Sequence, residues 1–334
     1  MKLEEIPRIK SAFLPTPLEY LPNLSAYFKN CRIWMKRDEL TGHCFGGNKE
    51  RKLEYILADA QAKNADSVVT VGALQSNHCR MTVSMARKLG IKTELILIRE
   101  NEEKIQPQPE ANYFLDIFMG AEIHIVARDA VQSKIDSVMG ALRSANRNPY
   151  FIESGGHNAL GAMGYVNAFL ELQKQLSKIN EKADHIIFPT GTGTTHAGLA
   201  AGALISGFKG KINGISVARK SERCLQETEA VLQQIMSILN SSFSSGDLSV
   251  YDEYVGNGYG LLYDECIDSM KLLADTEGTV LDPVYNAKAF HGMADLIKND
   301  RLSGNIIYIN TGGLPGIFNA RLMERQLARI TREN

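Results

Sequence analysis

The sequence has few of the features that mark disulfide-rich, metal-binding or nucleic-acid-binding proteins. Its 334 residues contain five cysteines, which are widely spaced and form no Cys-x-x-Cys pair. Such an odd, scattered set predicts neither a disulfide framework nor a structural zinc site, and we expect no metal. The formal net charge of -1 provides no excess positive charge to attract a nucleic acid or a membrane surface. A small-molecule substrate is therefore the expected partner.

Long hydrophobic segments are also scarce. Residues 1–14 alternate charged and apolar side chains and lack the continuous hydrophobic region of a secretory signal peptide. Residues 186–208 contain no Asp, Glu, Lys or Arg, but Gly, Thr, Pro and His interrupt them. A buried strand, loop and helix explain that composition better than a membrane span. The sequence thus predicts a cytoplasmic protein without a membrane partner.

Apolar runs alternate with amphipathic helical patterns along the chain. Hydrophobic residues make up 44% of it and charged residues 22%, a globular composition long enough for two domains. Strands are predicted at residues 31–36, 67–71, 93–98, 122–126, 149–153, 185–188, 211–217 and 305–309. Helices are predicted at residues 21–28, 50–63, 76–89, 109–119, 129–146, 158–176, 195–207, 221–240, 262–276 and 286–298, with a surface loop at 241–249. The pattern predicts an α/β protein with two domains, each an open, mostly parallel twisted sheet flanked by helices, and ligands between them at the carboxyl ends of the strands.

Residues 45–52, which read Phe-Gly-Gly-Asn-Lys-Glu-Arg-Lys, form the first candidate site. The two glycines permit a close bend, Asn48 can cap the first amide groups of a helix, and Lys49 then lies at the positive end of that helix. That position and partial burial both lower the pKa of a lysine, so Lys49 can act as an amine nucleophile and form a Schiff base. The alternative is an ordinary solvated lysine.

A second candidate site, residues 72–78, follows a predicted strand and opens a helix. Ser76 and Asn77 provide a hydroxyl and an amide at the crevice, beside free backbone amides. Both residues can instead be helix caps. His78 is interpreted as a packing residue, or as a donor that supports another side chain, rather than as a catalytic base.

The third candidate site is a loop that follows a buried strand and opens a helix rich in alanine and glycine. Its residues are Thr190, Gly191, Thr192, Gly193, Thr194 and Thr195. Glycines expose backbone amides and threonines add hydroxyl donors, which suits a phosphate at a helix N-terminus. No Gly-Lys-Ser/Thr follows, the glycine spacing is not that of a dinucleotide site, and the next strand ends without a ribose-binding carboxylate. The loop therefore predicts a single phosphate monoester, or else a turn without a ligand.

Two further turns supply groups that can clamp a planar heterocycle. Residues 281–288 contain Tyr285 and Asn286, and residues 311–316 begin with Thr311. A lysine that forms a Schiff base and a loop that binds a phosphate monoester together meet the requirement of pyridoxal 5'-phosphate (PLP). The aldehyde and the phosphate of that cofactor lie at different points of one ring.

Five motifs together resemble the family of D-cysteine desulfhydrases and 1-aminocyclopropane-1-carboxylate (ACC) deaminases, in order and over essentially the whole chain. They are Lys-Arg-Asp-Glu at 36–39, Gly-Gly-Asn-Lys at 46–49 with Arg-Lys-Leu-Glu at 51–54, Gln-Ser-Asn-His at 75–78, Asp-Pro-Val-Tyr at 282–285 and Thr-Gly-Gly at 311–313. The resemblance implies a PLP-dependent enzyme of fold type II and a homodimer. We expect a large PLP-binding domain at residues 1–51 and 161–334, with a smaller α/β domain inserted at residues 52–160.

By that resemblance, the candidate residues divide into three roles. The catalytic residues are Lys49, Ser76, Tyr259 and Tyr285. The cofactor-binding residues are Lys49, which carries PLP, Asn77 near its phenolic oxygen, the phosphate loop of residues 190–195, and Tyr285, Asn286 and Thr311 around the ring. The substrate-binding residues are Ser76, Asn77 and His78.

The activity that the resemblance implies is β-elimination. Lys49 or a nearby tyrosine handles the Cα proton of an amino acid, the cofactor stores the electrons, and the products are a keto acid and ammonia. ACC deaminases carry glutamate and leucine where this chain has Asn286 and Thr311, which favours a carbon-sulfur lyase of amino-acid catabolism that acts on D-cysteine. ACC deaminase, L-cysteate sulfo-lyase and D-serine-type dehydratase stay open as alternatives, as does a catalytically silent PLP-binding or ligand-sensing protein.

Overall fold

The computed structural model describes residues 3–99, 107–241 and 248–331. Within these ranges the strands are Leu18–Tyr20 (β1), Cys31–Arg37 (β2), Ser67–Ala73 (β3), Lys92–Arg99 (β4), Glu122–Ala127 (β5), Pro149–Ile152 (β6), His185–Thr190 (β7), Lys211–Ser216 (β8), Leu248–Tyr251 (β9) and Gly304–Asn310 (β10). The α-helices are Pro22–Phe28 (α1), Asn48–Ala62 (α2), Asn77–Lys88 (α3), Ala111–Phe118 (α4), Val131–Ser144 (α5), Ala159–Lys178 (α6), Thr194–Ser206 (α7), Ser221–Ile238 (α8), Asp264–Glu277 (α9), Asn286–Lys298 (α10) and Ala320–Ile330 (α11).

The strands form two sheets. Six of them lie in the order β1-β2-β10-β7-β8-β9, and four lie in the order β5-β4-β3-β6. Among the described residues, neighbouring strands are parallel except for β1, which pairs antiparallel with β2. Helices connect most of the parallel neighbours, as parallel pairing requires. The predicted α/β class with two mostly parallel sheets is confirmed.

The four-stranded sheet is an insertion in the chain order of the six-stranded sheet. Its strands lie within residues 67–152, between β2 and β7. The predicted domain boundaries, after residue 51 and before residue 161, fall inside α2 and α6 and stay a prediction. Helices α2 and α6 pack against each other, so the segments on either side of the insertion are joined by direct contact.

The segment of residues 186–208 is buried strand, loop and helix, as predicted. Ile187 and Phe188 of β7 are fully buried. Gly202 lets α7 lie directly against α6, because an added Cβ would stand 2.5 Å from the Cβ of Phe169. No helix in the described part of the chain is both long enough and apolar enough to cross a bilayer.

The sequence does not predict three of the observed elements. Strands β1 and β9 have three and four residues and lie at the two edges of their sheet, so they are too short to show an apolar alternation. Helix α11 has an apolar stripe that the sequence prediction omits, since Leu322 and Ile330 pack against the core while they stay partly exposed. The predicted surface loop at residues 241–249 lies mostly outside the described residues, and Leu248 and Ser249 begin β9.

A buried group of charged residues fixes the start of α2. Arg51 donates to both carboxylate oxygens of Asp38 at 2.9 and 2.7 Å, and to Glu171 of α6 at 3.2 and 2.9 Å. Lys36 donates to Glu171 at 2.5 Å, and the hydroxyl of Tyr165 donates to Asp38 at 2.7 Å. Burial favours the neutral form of Asp38, but the charge of Arg51 outweighs it and holds the pKa of that carboxyl below its usual value. The group ties β2, α2 and α6 together next to the candidate lysine.

Candidate active site

A cavity of about 360 Å³ lies at the carboxyl ends of strands from both sheets. Residues at or just after the ends of β3, β4, β7, β8 and β10 line it, which is where the topology predicts a ligand. Most of the predicted site residues meet there, namely Lys49, Ser76, Asn77, His78, Thr190, Gly191, Thr192, Gly193, Thr195, Tyr259, Tyr285 and Thr311. Two predicted residues, Thr194 and Asn286, do not line the cavity.

Lys49 is the second residue of α2, and the N-cap of that helix is Gly47. The prediction that Asn48 caps the helix is wrong, because Asn48 is already helical and its side-chain amide donates to Thr195 Oγ1 at 3.3 Å. Lys49 Nζ donates to the carbonyl oxygen of Gly155 at 3.3 Å. Burial lowers the pKa of Lys49 to about 8. The amine is therefore partly unprotonated near neutral pH, unlike that of an ordinary solvated lysine.

The bend before α2 requires glycine at two positions. Gly46 has a φ of +61°, and an added Cβ would stand 2.0 Å from the carbonyl oxygen of Glu39. Gly47 has a φ of +121°, and its Cβ would stand 3.0 Å from the carbonyl oxygen of Thr311. Arg80 of α3 donates to the carbonyl oxygen of Gly46 at 3.1 Å. The chain thus has no space for a side chain at this bend, and its close contacts fix where α2 begins.

Ser76 and Asn77 occupy the start of α3. Ser76 is the N-cap and its hydroxyl accepts from the backbone N–H of Cys79 at 3.2 Å, so the cap interpretation is confirmed for this residue. Asn77 is the first helical residue, and its Oδ1 accepts from Asn112 Nδ2 at 2.9 Å. An added Cβ on Gly313 would stand 2.8 Å from the Asn77 amide nitrogen. The Asn112 contact therefore orients the amide, with its oxygen toward Asn112 and its nitrogen toward Gly313.

His78 is a buried, neutral side chain at the cavity wall. Thr70 Oγ1 donates to the carbonyl oxygen of Ile152 at 2.8 Å, so it accepts from His78 Nε2 at 2.9 Å. Nδ1 then carries the lone pair, and it has no hydrogen-bond partner among the described residues. Burial and the charges of Lys49 and Lys52 lower the pKa of His78 well below its usual value. It is therefore a weak base, in agreement with the interpretation that it is not the catalytic one.

The loop after β7 has the shape of an anion site. Gly193 adopts a φ of +87° as the N-cap of α7, so the first amide groups of that helix face the loop. The hydroxyl of Thr190 is buried without a partner in the described part of the chain. Thr192 and Thr195 line the cavity, whereas the side chain of Thr194 is fully buried behind the loop. An unpartnered hydroxyl beside helix amides provides the donors that a phosphate accepts from.

Tyr259 and Tyr285 form a pair at the cavity wall. Their hydroxyl oxygens are 2.6 Å apart, and their ring centroids are 5.8 Å apart with an interplanar angle of 70°. Burial raises the pKa of both phenols, that of Tyr285 well above its usual value. Both are therefore protonated near neutral pH. One hydroxyl donates to the other, and the accepting hydroxyl keeps a proton that it can offer to a ligand.

Asn286 supports the cavity from behind. Its Nδ2 donates to Asp282 Oδ1 at 2.6 Å and to the carbonyl oxygen of Gly312 at 2.8 Å. Its Oδ1 accepts from the backbone N–H of Thr311 at 3.1 Å and from the hydroxyl of Tyr308 at 3.2 Å. These bonds occupy the whole amide, so the structure does not bring Asn286 to the position predicted for it beside a cofactor ring. Thr311 and Gly312 form the wall there instead.

The cavity wall carries basic rather than acidic side chains. None of the described residues that line it is Asp or Glu, and four are basic, namely Lys49, Lys52, Arg128 and Arg219. Burial and the charge of Lys49 lower the pKa of Lys52 well below its usual value. No three His, Cys, Asp or Glu side chains come together as a metal-ligand set in residues 3–99, 107–241 and 248–331. A basic wall without carboxylates suits a phosphate and the carboxylate of an amino acid.

Residues 9–312 match the family described as pyridoxal-phosphate dependent enzyme. The chain belongs to this family. It is 37% identical over 329 residues to a D-cysteine desulfhydrase of Salmonella paratyphi C, covering 95% of this chain and 97% of that relative. It is also 35% identical over 319 residues to a protein of Pyrococcus abyssi provisionally named 1-aminocyclopropane-1-carboxylate deaminase, covering 95% of this chain and 94% of that relative.

The comparison with a solved structure indicates the same family. The crystal structure of an ACC deaminase homologue superposes on this chain with a TM-score of 0.90 at 34% identity, covering 98% of this chain and 97% of the other. The resemblance inferred from the motifs is confirmed. This member of the pyridoxal-phosphate dependent family is an enzyme of the group that contains D-cysteine desulfhydrases and ACC deaminases, and PLP is its cofactor.

The cavity fits PLP on structural grounds as well. The amine of Lys49 and the loop after β7 lie on the wall of one cavity, as the aldehyde and the phosphate of one molecule require. The unpartnered hydroxyl of Thr190 provides a donor on the loop. At Gly155 an added Cβ would stand 3.6 Å from Lys49 Nζ, so glycine leaves the space around the amine open.

Sequence reasoning missed residues that orient the site rather than line it. Asp282 accepts from the backbone N–H groups of residues 284–286 at 2.8 to 3.0 Å and so fixes the turn that carries Tyr285. Asn112 orients Asn77 from a distant part of the chain. Asp282 stands just before a predicted helix, which is a signal that could have revealed its capping role. Asn112 gives no such signal, because nothing in the sequence reports a contact across 35 positions.

Replacing Gly191 with valine is expected to weaken the binding of PLP by about tenfold or more, because the side chain would enter the cavity at the loop. An added Cβ meets nothing closer than 3.8 Å, so the fold can accept it. Gly193 is a poorer test, since a Cβ there would stand 2.7 Å from Thr228 of α8. Fluorescence titration of the cofactor-free protein measures the affinity. Gly140→Val, at an open position of α5, is the control, and equal affinity in both variants would contradict the loop assignment.

The rate at which cofactor-free protein captures PLP is expected to rise as the pH increases through about 8, the pKa to which burial lowers the Lys49 amine. The unprotonated amine is the nucleophile, so a lowered pKa makes the reactive form available at lower pH than in an exposed lysine. Stopped-flow absorbance across a pH series measures the rate, with a lysine-containing peptide as the reference. A midpoint near that of the peptide would show that Lys49 is not the reacting amine.

Proposed function

We propose that the protein is a carbon-sulfur lyase that converts D-cysteine and water to pyruvate, hydrogen sulfide and ammonia. The observation that carries the proposal is a cavity wall with basic and hydroxyl groups but no carboxylate among the described residues. The relative named D-cysteine desulfhydrase, with 37% identity over nearly the full length, supports it. The other relative carries the name of a different reaction, so the choice of substrate depends on the site itself.

We assign the cofactor contacts to this chain's residues as follows. Lys49 Nζ would hold the aldehyde carbon, the amides at the start of α7 would hold the phosphate, and the oriented amide of Asn77 would donate to the phenolic oxygen. Thr311 would border the ring in place of Asn286. When bound, PLP withdraws electrons from the Cα atom of an amino acid and so weakens the bonds to that atom.

The protein supplies the proton transfers. Lys49 Nζ, with a pKa of about 8, can take the proton from the Cα atom of the substrate. As the bond between Cβ and sulfur breaks, its electron pair stays on the sulfur. The tyrosine pair holds a proton that Tyr285 or Tyr259 can give to that sulfur, so that it departs as a neutral group. Ser76, at the start of α3, lies on the same wall and can bind the substrate carboxylate together with the free helix amides.

The absence of a carboxylate from the described cavity wall supports D-cysteine over ACC as the substrate. A pyridine nitrogen beside Thr311 would meet no acid in the described cavity wall that could protonate it, so electron withdrawal from Cα would be weaker than in a site with a carboxylate at that position. Asp282, the acid behind this wall, is already occupied by backbone amides and Asn286. Such a site suits a substrate whose β-group leaves readily. A thiolate leaves readily, whereas opening the ring of ACC requires a carbon atom to act as the leaving group.

The experiment is a comparison of keto-acid and ammonia release from D-cysteine, β-chloro-D-alanine, D-serine, L-cysteate and ACC. We expect D-cysteine and its chloro analogue to react at least about a hundredfold faster than ACC. Thr311→Leu is expected to lower the ratio of the D-cysteine rate to the ACC rate. Asn286→Glu is less suited to this purpose, because its carboxylate would lie against Asp282. Comparable turnover of ACC, activity confined to L-cysteate, or no product from any of the five would contradict the proposal.

A further inference from the structure

A row of four hydrogen-bonding side chains runs from the surface of α8 to the cavity. Glu227 Oε2 lies 3.3 Å from His157 Nε2, and His157 Nδ1 lies 2.8 Å from Thr194 Oγ1. Thr194 Oγ1 lies 3.2 Å from Thr192 Oγ1, and Thr192 lines the cavity. The side chains of Glu227 and His157 are 33% and 25% exposed, so protons from solvent can reach the outer end of the row.

The direction of these hydrogen bonds depends on the charge of His157. In the neutral ring, the negative charge of Glu227 beside Nε2 favours the tautomer with its proton on that nitrogen, so Nδ1 carries the lone pair and the hydroxyl of Thr194 donates to it. Thr194 then accepts from Thr192. The proton of Thr192 points away from the cavity in this state, and its lone pairs face a bound anion.

Protonation of His157 reverses the row. Both ring nitrogens become donors, so Nδ1–H donates to Thr194, and Thr194 in turn donates to Thr192. The hydroxyl of Thr192 is then free to donate into the cavity. A single proton at His157 therefore changes Thr192 from an acceptor to a donor at the phosphate loop, without moving a heavy atom.

We propose that His157 is a positioning residue that takes up a proton when a phosphate monoester binds, and thereby makes Thr192 a hydrogen-bond donor to that phosphate. The inference rests on the proposed function, since it requires the phosphate at the loop after β7. The proton comes from solvent and adds to Nδ1, and the hydroxyls of Thr194 and Thr192 keep their own protons and rotate about their Cβ–Oγ bonds to reverse the two hydrogen bonds. Glu227, which also pairs with Arg219 at 3.5 Å, supplies the negative charge beside the imidazolium.

The charges around His157 are consistent with this uptake. Burial and the charges of Lys52 and Arg219 lower its pKa, and the charge of Glu227 opposes them without cancelling them. Arg223 also lies 3.7 Å from Glu227, and its positive charge weakens the effect of Glu227 on the imidazole pKa. The imidazole is therefore neutral near pH 7 before a ligand binds. A nearby phosphate dianion raises the imidazole pKa, so by linkage the affinity for the phosphate must increase as the pH falls through the pKa of the bound state.

The first test measures protons taken up on binding. Pyridoxamine 5'-phosphate is titrated into the cofactor-free full-length protein by calorimetry in buffers of different ionisation enthalpy, because its amine cannot condense with Lys49. His157→Asn keeps an N–H donor but cannot titrate, so it should bind well and take up fewer protons than the wild type. Between about pH 8.5 and about pH 6.5 the wild type should gain about tenfold in affinity relative to this variant, the value of one hydrogen bond to a charged group.

The second test uses a matched pair at the inner end of the row and does not depend on the folding of the His157 variant. Thr192→Val removes the hydroxyl and keeps the branched shape, whereas Thr192→Ser keeps the hydroxyl. The serine variant should retain the dependence on pH, and the valine variant should lose it while the helix amides still bind the phosphate. Glu227→Gln should shift the dependence to lower pH, because the imidazolium loses its counter-charge.

Two results would overturn the proposal and are distinct from failure of the cofactor site itself. Equal proton uptake by the wild type and His157→Asn would show that His157 does not titrate on binding. An unchanged pH dependence in Thr192→Val would show that the hydroxyl of Thr192 is not the donor that responds to His157. If the wild type bound neither PLP nor pyridoxamine 5'-phosphate, the proposed cofactor site would be wrong, and this inference would fall with it.

Discussion

Replacing Lys49 with alanine is expected to abolish the covalent attachment of PLP and to lower turnover by about a thousandfold or more, since a positioned base alone contributes about a hundredfold to ten-thousandfold. The substitution removes both the amine that borders the cavity and the group that can take the Cα proton. The visible absorbance of the purified variant reports the attachment, and keto-acid release from D-cysteine reports the turnover.

Lys63→Ala is the matched control, because Lys63 lies just after the end of α2 and its side chain is 63% exposed in an ion pair with Asp59. It should leave the absorbance and the turnover unchanged. Borohydride reduction of the unmodified protein, followed by peptide mapping, should find the cofactor on Lys49. Lys52 borders the same cavity, so a label on that residue would contradict the assignment.

Replacing Arg51 with methionine is expected to lower the free energy of unfolding by about 3 to 5 kcal/mol. Arg51 is the shared donor to Asp38 and Glu171, so its removal leaves two carboxylates beside each other with only Lys36 as a counter-charge. The cost follows from the buried charges that lose their partner rather than from the lost attraction alone. Urea unfolding followed by circular dichroism measures it.

Arg147→Met is the control for this prediction. Arg147 pairs with Asp66 at 2.8 Å, but the two side chains are 27% and 41% exposed. The same substitution there should cost no more than about 1 kcal/mol, because water replaces the lost partner. Equal losses of unfolding free energy in the two variants would show that burial of the Arg51 group does not determine how much it stabilises the fold.

The sequence predicted the parts of the site that are local in the chain. The bend before α2 could be read from Gly46 and Gly47, since adjacent glycines before an amphipathic pattern indicate a close turn. The loop after β7 could be read in the same way, from glycines and threonines that follow a buried apolar run. In both cases the chemistry and its structural context occupy fewer than about ten consecutive residues, so that pattern alone is informative.

The errors concern contacts between distant segments. Asn48 has the composition of a helix cap, but the bend places Gly47 at that position and turns the Asn48 amide toward Thr195. The family resemblance assigns Asn286 to the cofactor ring, yet Asp282 and Gly312 hold its amide and it does not line the cavity. Which face of a turn reaches a cavity depends on packing that a single sequence does not encode locally.

The position of β10 has a consequence for how the chain can fold during synthesis. β10 is the last strand to be made, yet it lies between β2 and β7 rather than at an edge, and its first residue pairs with Cys31. The four-stranded sheet is complete once residue 152 has left the ribosome, whereas the sheet that carries the loop after β7 must wait for residues 304–310. Its formation therefore has a high contact order and exposes two unpaired strand edges until late. A product that ends before β10 would lack the centre of this sheet, so truncation yields no partly functional enzyme.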